Sequence, residues 1–203
     1  ERFEFDELLR LAAWFAGPVP NWARVNPLRS NAETVADAFA DAGVDSTFDR
    51  STGMLRLAGT AWVPGLPGFD EGWFTIQDPS AAAAAKLLAP APGQQVLDLC
   101  AAPGTKSTQL AELMENQGQV LAADSHPDRL ELIAPAAARL GLSIVEPVLV
   151  AESGEDLPTG PFDAVLVDVP CSNTGVLGKR PEARWRLKPD ESARLAELQL
   201  KLL

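Results

Sequence analysis

The stretch Val96-Leu97-Asp98-Leu99-Cys100-Ala101-Ala102-Pro103-Gly104-Thr105-Lys106-Ser107 decides the fold. An apolar run ends in an acid, a loop of small residues follows, and polar residues then suit the start of a helix. In an open parallel sheet, such strand-to-helix junctions hold ligands outside the carboxyl ends of the strands. A second junction of the same kind is Val165-Leu166-Val167-Asp168-Val169-Pro170-Cys171-Ser172-Asn173-Thr174-Gly175. Each carries a cysteine in or beside its loop. Two such loops on one sheet predict one site, with a cofactor on one side and a substrate on the other.

Outward from these junctions the pattern alternates. Gln95–Leu99, Gln119–Ala123, Ile144–Val150 and Phe162–Val167 read as strands, the last of them buried. Residues 81–88, capped by Ser80, residues 106–116, residues 128–140 with a kink at Pro135, and residues 192–203 read as helices. Strands alternating with helices predict an α/β fold with a doubly wound, mostly parallel sheet. Residues 1 to about 70 read differently, as a small α+β appendage. Phe5, Leu8, Leu9, Ala12 and Phe15 fall at helical spacing, and Gly17-Pro18 stops that helix. Ser30 with Glu33 forms a capping box for a second helix ending at Gly43. Short strands are expected at 46–49, 54–57 and 61–63, and Gly65-Leu66-Pro67-Gly68 reads as a linker.

Composition narrows the function. The 203 residues carry a net charge of -11, which argues against a nonspecific nucleic-acid binder. Between Gly178 and Lys188, however, Lys179, Arg180, Arg184, Arg186 and Lys188 face one anion, Glu182. A basic stretch on an acidic protein is a candidate phosphate-contacting patch, or else a solvated loop. No apolar run approaches the ~18 residues of a membrane span. Two cysteines and one histidine, with no Cys-x-x-Cys, argue against a disulfide framework or a zinc site and fit a cytoplasmic setting. The first residues lack a basic and apolar signal pattern, and the chain does not begin with Met.

The first loop has the chemistry of a cradle. Ala101, Ala102 and Gly104 let backbone approach a ligand, and a helix start offers unpaired N–H groups. Lys106 in the first helical turn opposes the helix dipole, which points to an anionic partner or a charge relay, or to a solvated side chain. Asp124 ends the next strand, where doubly wound folds place a ribose-binding acid; the other reading is that Asp124 or Ser125 caps the following helix. His126 reads as a surface residue. The pattern Gly-x-Gly-x-x-Gly is absent, and Gly104-Thr105-Lys106-Ser107 lacks the glycines of a P-loop. An adenosine cofactor with a charged amino-acid tail fits best. At the second loop, the Cys171 thiol is a candidate nucleophile or acid/base group, or a structural residue.

The chain resembles the RsmB/NOP/SUN family of RNA cytosine-5 methyltransferases. Arg24-Val25-Asn26-Pro27-Leu28-Arg29 is similar to the signature of its N-terminal RNA-binding subdomain. Gly72-Trp73-Phe74-Thr75-Ile76-Gln77-Asp78-Pro79-Ser80 is similar to its entry to the catalytic domain, Asp98–Lys106 to its cofactor loop, and Asp168–Gly175 to its substrate-side motif. Four motifs in order span most of the chain.

The resemblance implies an RNA-binding subdomain over 1–70 and an incomplete Rossmann-like methyltransferase domain over 71–203. It implies S-adenosylmethionine as cofactor, held by Cys100, Ala101, Ala102, Pro103, Gly104, Thr105 and Lys106, with Asp124 on the ribose and Arg129 nearby. It implies Asp168 between cofactor and target cytosine, and Cys171 assisting proton loss from carbon 5 and enzyme release. It implies RNA, ribosomal RNA in particular, as partner, with Arg24, Asn26, Lys179 and Arg180 as contacts. The target base must leave its stack to enter the pocket.

Three departures stand out. Thr105 replaces a glycine of the pattern. Glu152, Glu155 and Asp156 compete as the acid that contacts adenine. No Thr-Cys-Ser nucleophile motif is present, so the chain is expected to be a piece of a longer protein. The rival readings are Cys171 as the nucleophile itself, a methyltransferase acting on DNA or another RNA atom, and an RNA-binding module without chemistry.

Overall fold

The structure, a computed structural model, describes residues 3–17, 19–59, 62–186, 188 and 190–203. Along the chain lie α1 (Phe5–Ala16), β1 (Asn21–Val25), α2 (Ala32–Asp41), β2 (Ser46–Asp49), β3 (Met54–Leu57), β4 (Phe74–Ile76), α3 (Pro79–Leu88) and β5 (Gln95–Leu99). They continue with α4 (Thr105–Leu113), β6 (Gln119–Asp124), α5 (Pro127–Leu130), α6 (Ile133–Leu140), β7 (Val145–Leu149), β8 (Ala164–Val167), α7 (Ala183–Arg186) and α8 (Glu191–Leu202). Two compact units result, residues 21–169 and residues 1–20 with 170–203, a cut that does not follow the boundary expected at residue 70.

The unit 21–169 holds two sheets. The first is antiparallel, ordered β2-β3-β1-β4. The helix α2 contributes Val35 and Phe39 to its core, which also buries Ala23, Leu55, Leu57 and Phe74. Phe39 and Phe74 meet edge-on with centroids 5.1 Å apart, the geometry the ring quadrupoles favour. Two of its strands, β1 and β4, have no counterpart in the sequence reading. The first, Asn-Trp-Ala-Arg-Val, buries neighbouring Ala23 and Arg24, so it lacks the period of two that reveals a strand. The second has three residues and comes from beyond the supposed linker.

That linker is structured. A 3-10 turn covers Val63–Gly65, replacing the strand expected at 61–63, of which Ala61 lies outside the described residues. Leu66 is buried in the first core, with Phe69 packed against it.

The second sheet is parallel throughout, ordered β7-β6-β5-β8. Its core gathers Val96 and Val120 from the strands with Leu110, Met114 and Leu140 from the helices. From β5 the chain winds one way through β6 and β7, then crosses to β8 on the other side. The order therefore reverses between β5 and β8, the switch point where open α/β sheets bind ligands. As the edge strand, β8 is only partly covered, and Val165 is 45% exposed, which corrects the expectation of a buried strand.

Local chemistry moves several helix ends. Asn31, not Ser30, caps α2, its side-chain oxygen accepting the Thr34 N–H at 2.9 Å. Asp78 takes the N-cap position of α3 with Pro79 at the first helical position, where its missing N–H costs nothing, so Ser80 lies inside the helix. The helix read over 128–140 is broken into α5 and α6. Pro135 cannot donate to the carbonyl four residues back and its ring crowds it; that residue is Glu131, where the break falls.

In the unit of residues 1–20 and 170–203, α1 begins and ends as its sequence predicts, although Pro18 lies outside the described residues. None of its residues is buried: Phe5 and Trp14 stand largely in solvent. The guanidinium of Arg184 donates to the Phe15 carbonyl at 3.2 Å, and Gln199 of α8 donates to the Pro170 carbonyl at 2.9 Å.

Candidate functional site

At the carboxyl end of β5 the backbone turns sharply. Cys100 sits in the left-handed region at φ +62°, as does Gly104 at φ +94°. A non-glycine residue held there costs of order 1–2 kcal/mol, a strain typical of functional loops. Glycine is required at 104 for a second reason, since a Cβ there would meet Cγ1 of Ile133 at 3.0 Å. Gly104 is the N-cap of α4, and the first N–H groups of that helix have no intrahelical acceptor. Thr105 is the first helical residue, a position that asks for no glycine.

Three side chains fix this loop. Asp124, at the end of β6, is buried and accepts the Ala102 N–H on Oδ2 at 2.9 Å. Its Oδ1 accepts the His126 N–H at 2.9 Å and faces His126 Nδ1 at 3.2 Å, while His126 itself is the N-cap of α5, which has no side-chain cap bond. A carboxylate has about four acceptor positions, so capacity remains for a ligand hydroxyl. Arg129 donates from Nη2 to the Ala102 carbonyl. Asp98 is fully buried and accepts the Ser107 hydroxyl at 2.6 Å.

The other oxygen of Asp98 has no partner among the described residues. Burial pushes its carboxyl up to about 7, against the hydroxyl of Ser107 and the charge of Lys106. The Cys100 thiol is half-buried, and burial together with Asp124 and Asp168 pushes it up to about 11. Cys100 is thus a neutral thiol in the wall of the cradle, unsuited to nucleophilic attack.

Lys106 resolves its misplacement in the helix dipole. Its ammonium meets Asp168 Oδ2 at 2.6 Å, bridging α4 and the residue after β8. This ion pair spans the switch point between β5 and β8. Asp168 remains half-exposed and its N–H donates to the Leu99 carbonyl at 3.2 Å. All three acids after β7 are exposed, and Asp156 spends an oxygen on the Ala151 N–H at 2.6 Å.

Cys171 lies three residues further along the chain, in the other unit. Its sulfur is exposed and accepts the Asn173 N–H at 3.4 Å, a contact internal to its own turn. Cys171, Ser172 and Asn173 line a cavity with Arg180, Arg186 and Glu182. The basic stretch thereby brings Arg180 beside the second cysteine, and Lys179 is half-buried next to it.

Two predicted RNA contacts are corrected. Arg24 and Asn26 are buried, at 6% and 0% exposure. Asn26 donates to the carbonyls of Gly72 and Leu140, and Arg24 pairs with Glu112 of α4 at 2.9 Å. Both tie the first sheet to the second and offer nothing to a phosphate. The partners Gln77, Thr108, Gln109 and Glu112 went unread in the sequence. Their signal is the polar run 105, 108, 109, 112 on α4, which marks one helix face. That face reads as solvated but is buried against the first sheet.

The 16S rRNA methyltransferase RsmB/F family model matches residues 85–203. The chain is 41% identical over 184 residues to the probable ribosomal RNA small subunit methyltransferase B of Synechocystis sp., spanning 89% of this chain and 41% of that protein. It is 38% identical to ribosomal RNA small subunit methyltransferase B of Citrobacter koseri, over 91% of this chain and 43% of that protein. The chain therefore spans about two fifths of the length of these curated relatives. The crystal structure of PH0851 superposes with a TM-score of 0.90 at 33% identity, over 98% of this chain and 46% of its own. A methyltransferase homologue from Pyrococcus horikoshii gives a TM-score of 0.80 at 26% identity, over 97% and 63%.

Proposed function

The chain belongs to the 16S rRNA methyltransferase RsmB/F family, and from that premise we propose that it is part of an enzyme methylating carbon 5 of a cytosine in ribosomal RNA, with S-adenosylmethionine as cofactor. One observation carries the reading. The two acid-ended strands flank the switch point of the parallel sheet, and the Lys106–Asp168 pair joins them across it.

The residues fit such a cofactor. The start of α4 offers backbone N–H groups to a carboxylate. Asp124, anchored through Ala102 and His126, presents remaining lone pairs to ribose hydroxyls. Arg129 holds the same loop from its carbonyl side. The unpartnered oxygen of buried Asp98 gives the floor of the cradle an acceptor for a polar ligand group. When bound, the cofactor supplies an electrophilic methyl group.

Asp168 is held by Lys106 as an acceptor for the exocyclic amine of the target base. Cys171, exposed and followed by a turn of small residues, assists proton loss from carbon 5 and enzyme release. Lys179 and Arg180 meet RNA phosphates, and residues 1–70 contribute RNA-facing surface other than Arg24 and Asn26. Incubation of the complete protein with RNA carrying 5-azacytidine tests the target. A denaturation-resistant adduct supports cytosine-5 chemistry. Methyl transfer to RNA without an adduct assigns another RNA atom, and RNA binding without transfer makes the protein a binding module.

A further inference from the structure

Arg24 reaches further than its ion pair with Glu112. Its Nε and Nη2 donate to the two carboxylate oxygens of Glu112, each at 2.9 Å, in the bidentate fork that only arginine provides. Nη2 also donates to the Thr108 hydroxyl at 3.2 Å. Nη1 donates to Gln77 Oε1 at 2.5 Å and to the Thr105 carbonyl at 2.9 Å. Gln77 in turn donates to Gln109, which donates to the Ala82 carbonyl. Four of the five hydrogen bonds of this buried guanidinium thus go to one face of α4, and the fifth goes to Gln77.

Thr105 is the decisive partner. It follows Gly104 directly and is the first residue of α4, so its N–H is among those with no intrahelical acceptor. Its carbonyl, on the other side of the same residue, is held by the guanidinium and by the Thr108 hydroxyl. We propose that Arg24 is a positioning residue for the cofactor cradle: it fixes the first turn of α4 through the Thr105 carbonyl, so that the first sheet sets the orientation of the N–H groups that receive the cofactor. This proposal rests on the cofactor reading above and deepens it. It gives the signature Arg24-Val25-Asn26 and the segment ending in Gln77 a common purpose, one as clamp and the other as its brace.

The test must separate positioning from plain stability. Removing Arg24 alone strands a buried carboxylate, so Arg24→Met will destabilise on any account. The double variant Arg24→Met/Glu112→Leu replaces the buried pair with apolar groups of similar volume, a change that often restores stability. Its melting temperature and its affinity for S-adenosylmethionine are measured beside those of the unaltered chain. Positioning predicts that melting recovers while affinity stays weaker by about tenfold, the scale of one charged hydrogen bond. Recovery of both would overturn the proposal.

Arg24→Lys provides a second route if the double variant does not fold, because an ammonium can serve Glu112 but lacks the fork that also reaches Thr105. It should still melt cooperatively, though lower than the unaltered chain because Gln77 and Thr108 lose a donor, bind cofactor more weakly, and exchange the Thr108 amide faster with no cofactor present. Unchanged affinity and unchanged exchange in Arg24→Lys would equally overturn it. An unaltered chain that melts cooperatively but does not bind would instead fell the cofactor reading, and this proposal with it; the amide exchange would then still report whether Arg24 holds the helix.

Discussion

The two cysteine loops end neighbouring strands of one sheet, yet they are built in opposite ways. The Cys100 loop is tied from several directions: Asp124 holds Ala102 by its N–H, Arg129 by its carbonyl, and Ser107 reaches back to Asp98. Among the described residues, the Cys171 sulfur makes its hydrogen bonds with Asn173, two residues along. Burial pushes the first thiol up to about 11, whereas the second thiol is exposed. The contrast teaches where preorganisation is spent. A cofactor with a fixed shape rewards a rigid cradle, and an RNA base that must be drawn out of its stack rewards an accessible loop.

The largest expected effect lies beneath the first loop. Asp98 titrates near 7 when folded, against an ordinary value of 3.8. The folded state therefore binds the proton more tightly, and its stabilising contribution is complete below about pH 4 and lost as the pH rises through about 7. The raised value corresponds to about 4 kcal/mol across that window, at roughly 1.4 kcal/mol per pH unit. Asp98→Asn should lose this slope, so its stability relative to the parent should climb between pH 4 and pH 8 in denaturant titrations. Parallel curves for the two proteins would mean that Asp98 is not perturbed.

Next comes Asp124→Ala, which strands the Ala102 N–H and removes the acceptor proposed for the ribose. Cofactor binding should weaken by roughly 1–3 kcal/mol. Cys171→Ser should leave that affinity where it was, and equal losses in the two variants would erase the contrast between the loops.

Lys106→Met should cost less, under about 1 kcal/mol of stability, because Asp168 is half-exposed and its ion pair is solvent-screened. Lys106 also holds the Asp98 carboxyl down, so the same variant should push Asp98 further up and shift its pH window upward. A window that moves downward, or not at all, would remove Lys106 from the field at Asp98.

The mildest probe is thiol labelling of the folded chain with a disulfide reagent at neutral pH. One thiol, Cys171, should react promptly, and Cys100 should wait for unfolding. Two thiols reacting at one rate would contradict the contrast directly.

Much of this arrangement was legible in the sequence, for identifiable reasons. Three strands of the parallel sheet, β5, β6 and β8, are mostly apolar runs with an aspartate at or next to their carboxyl end. That pattern places Asp98, Asp124 and Asp168 at carboxyl strand ends without any coordinates. Pro135 announces a disturbed helix, and only the site of the break, one turn earlier at Glu131, needed the backbone. The rest failed where polar residues are buried. Arg24 and Asn26 are expected as RNA contacts through the resemblance alone; nothing local reveals that Glu112, 88 residues away, pairs with the guanidinium. The strand β1 is hidden for the same reason, since its buried Arg24 disrupts the alternation. In the other direction, α1 has the periodic apolar face of a packed helix, yet Phe5, Leu9 and Trp14 remain more than half-exposed.

The central claim is that the first loop is the cofactor cradle, and calorimetric titration of this chain with S-adenosylmethionine, paired with a thermal melt, tests it most directly. The account predicts saturable binding at one site per chain, weakened in Asp124→Ala and unchanged in Cys171→Ser. A chain that melts cooperatively and takes up no cofactor would contradict it.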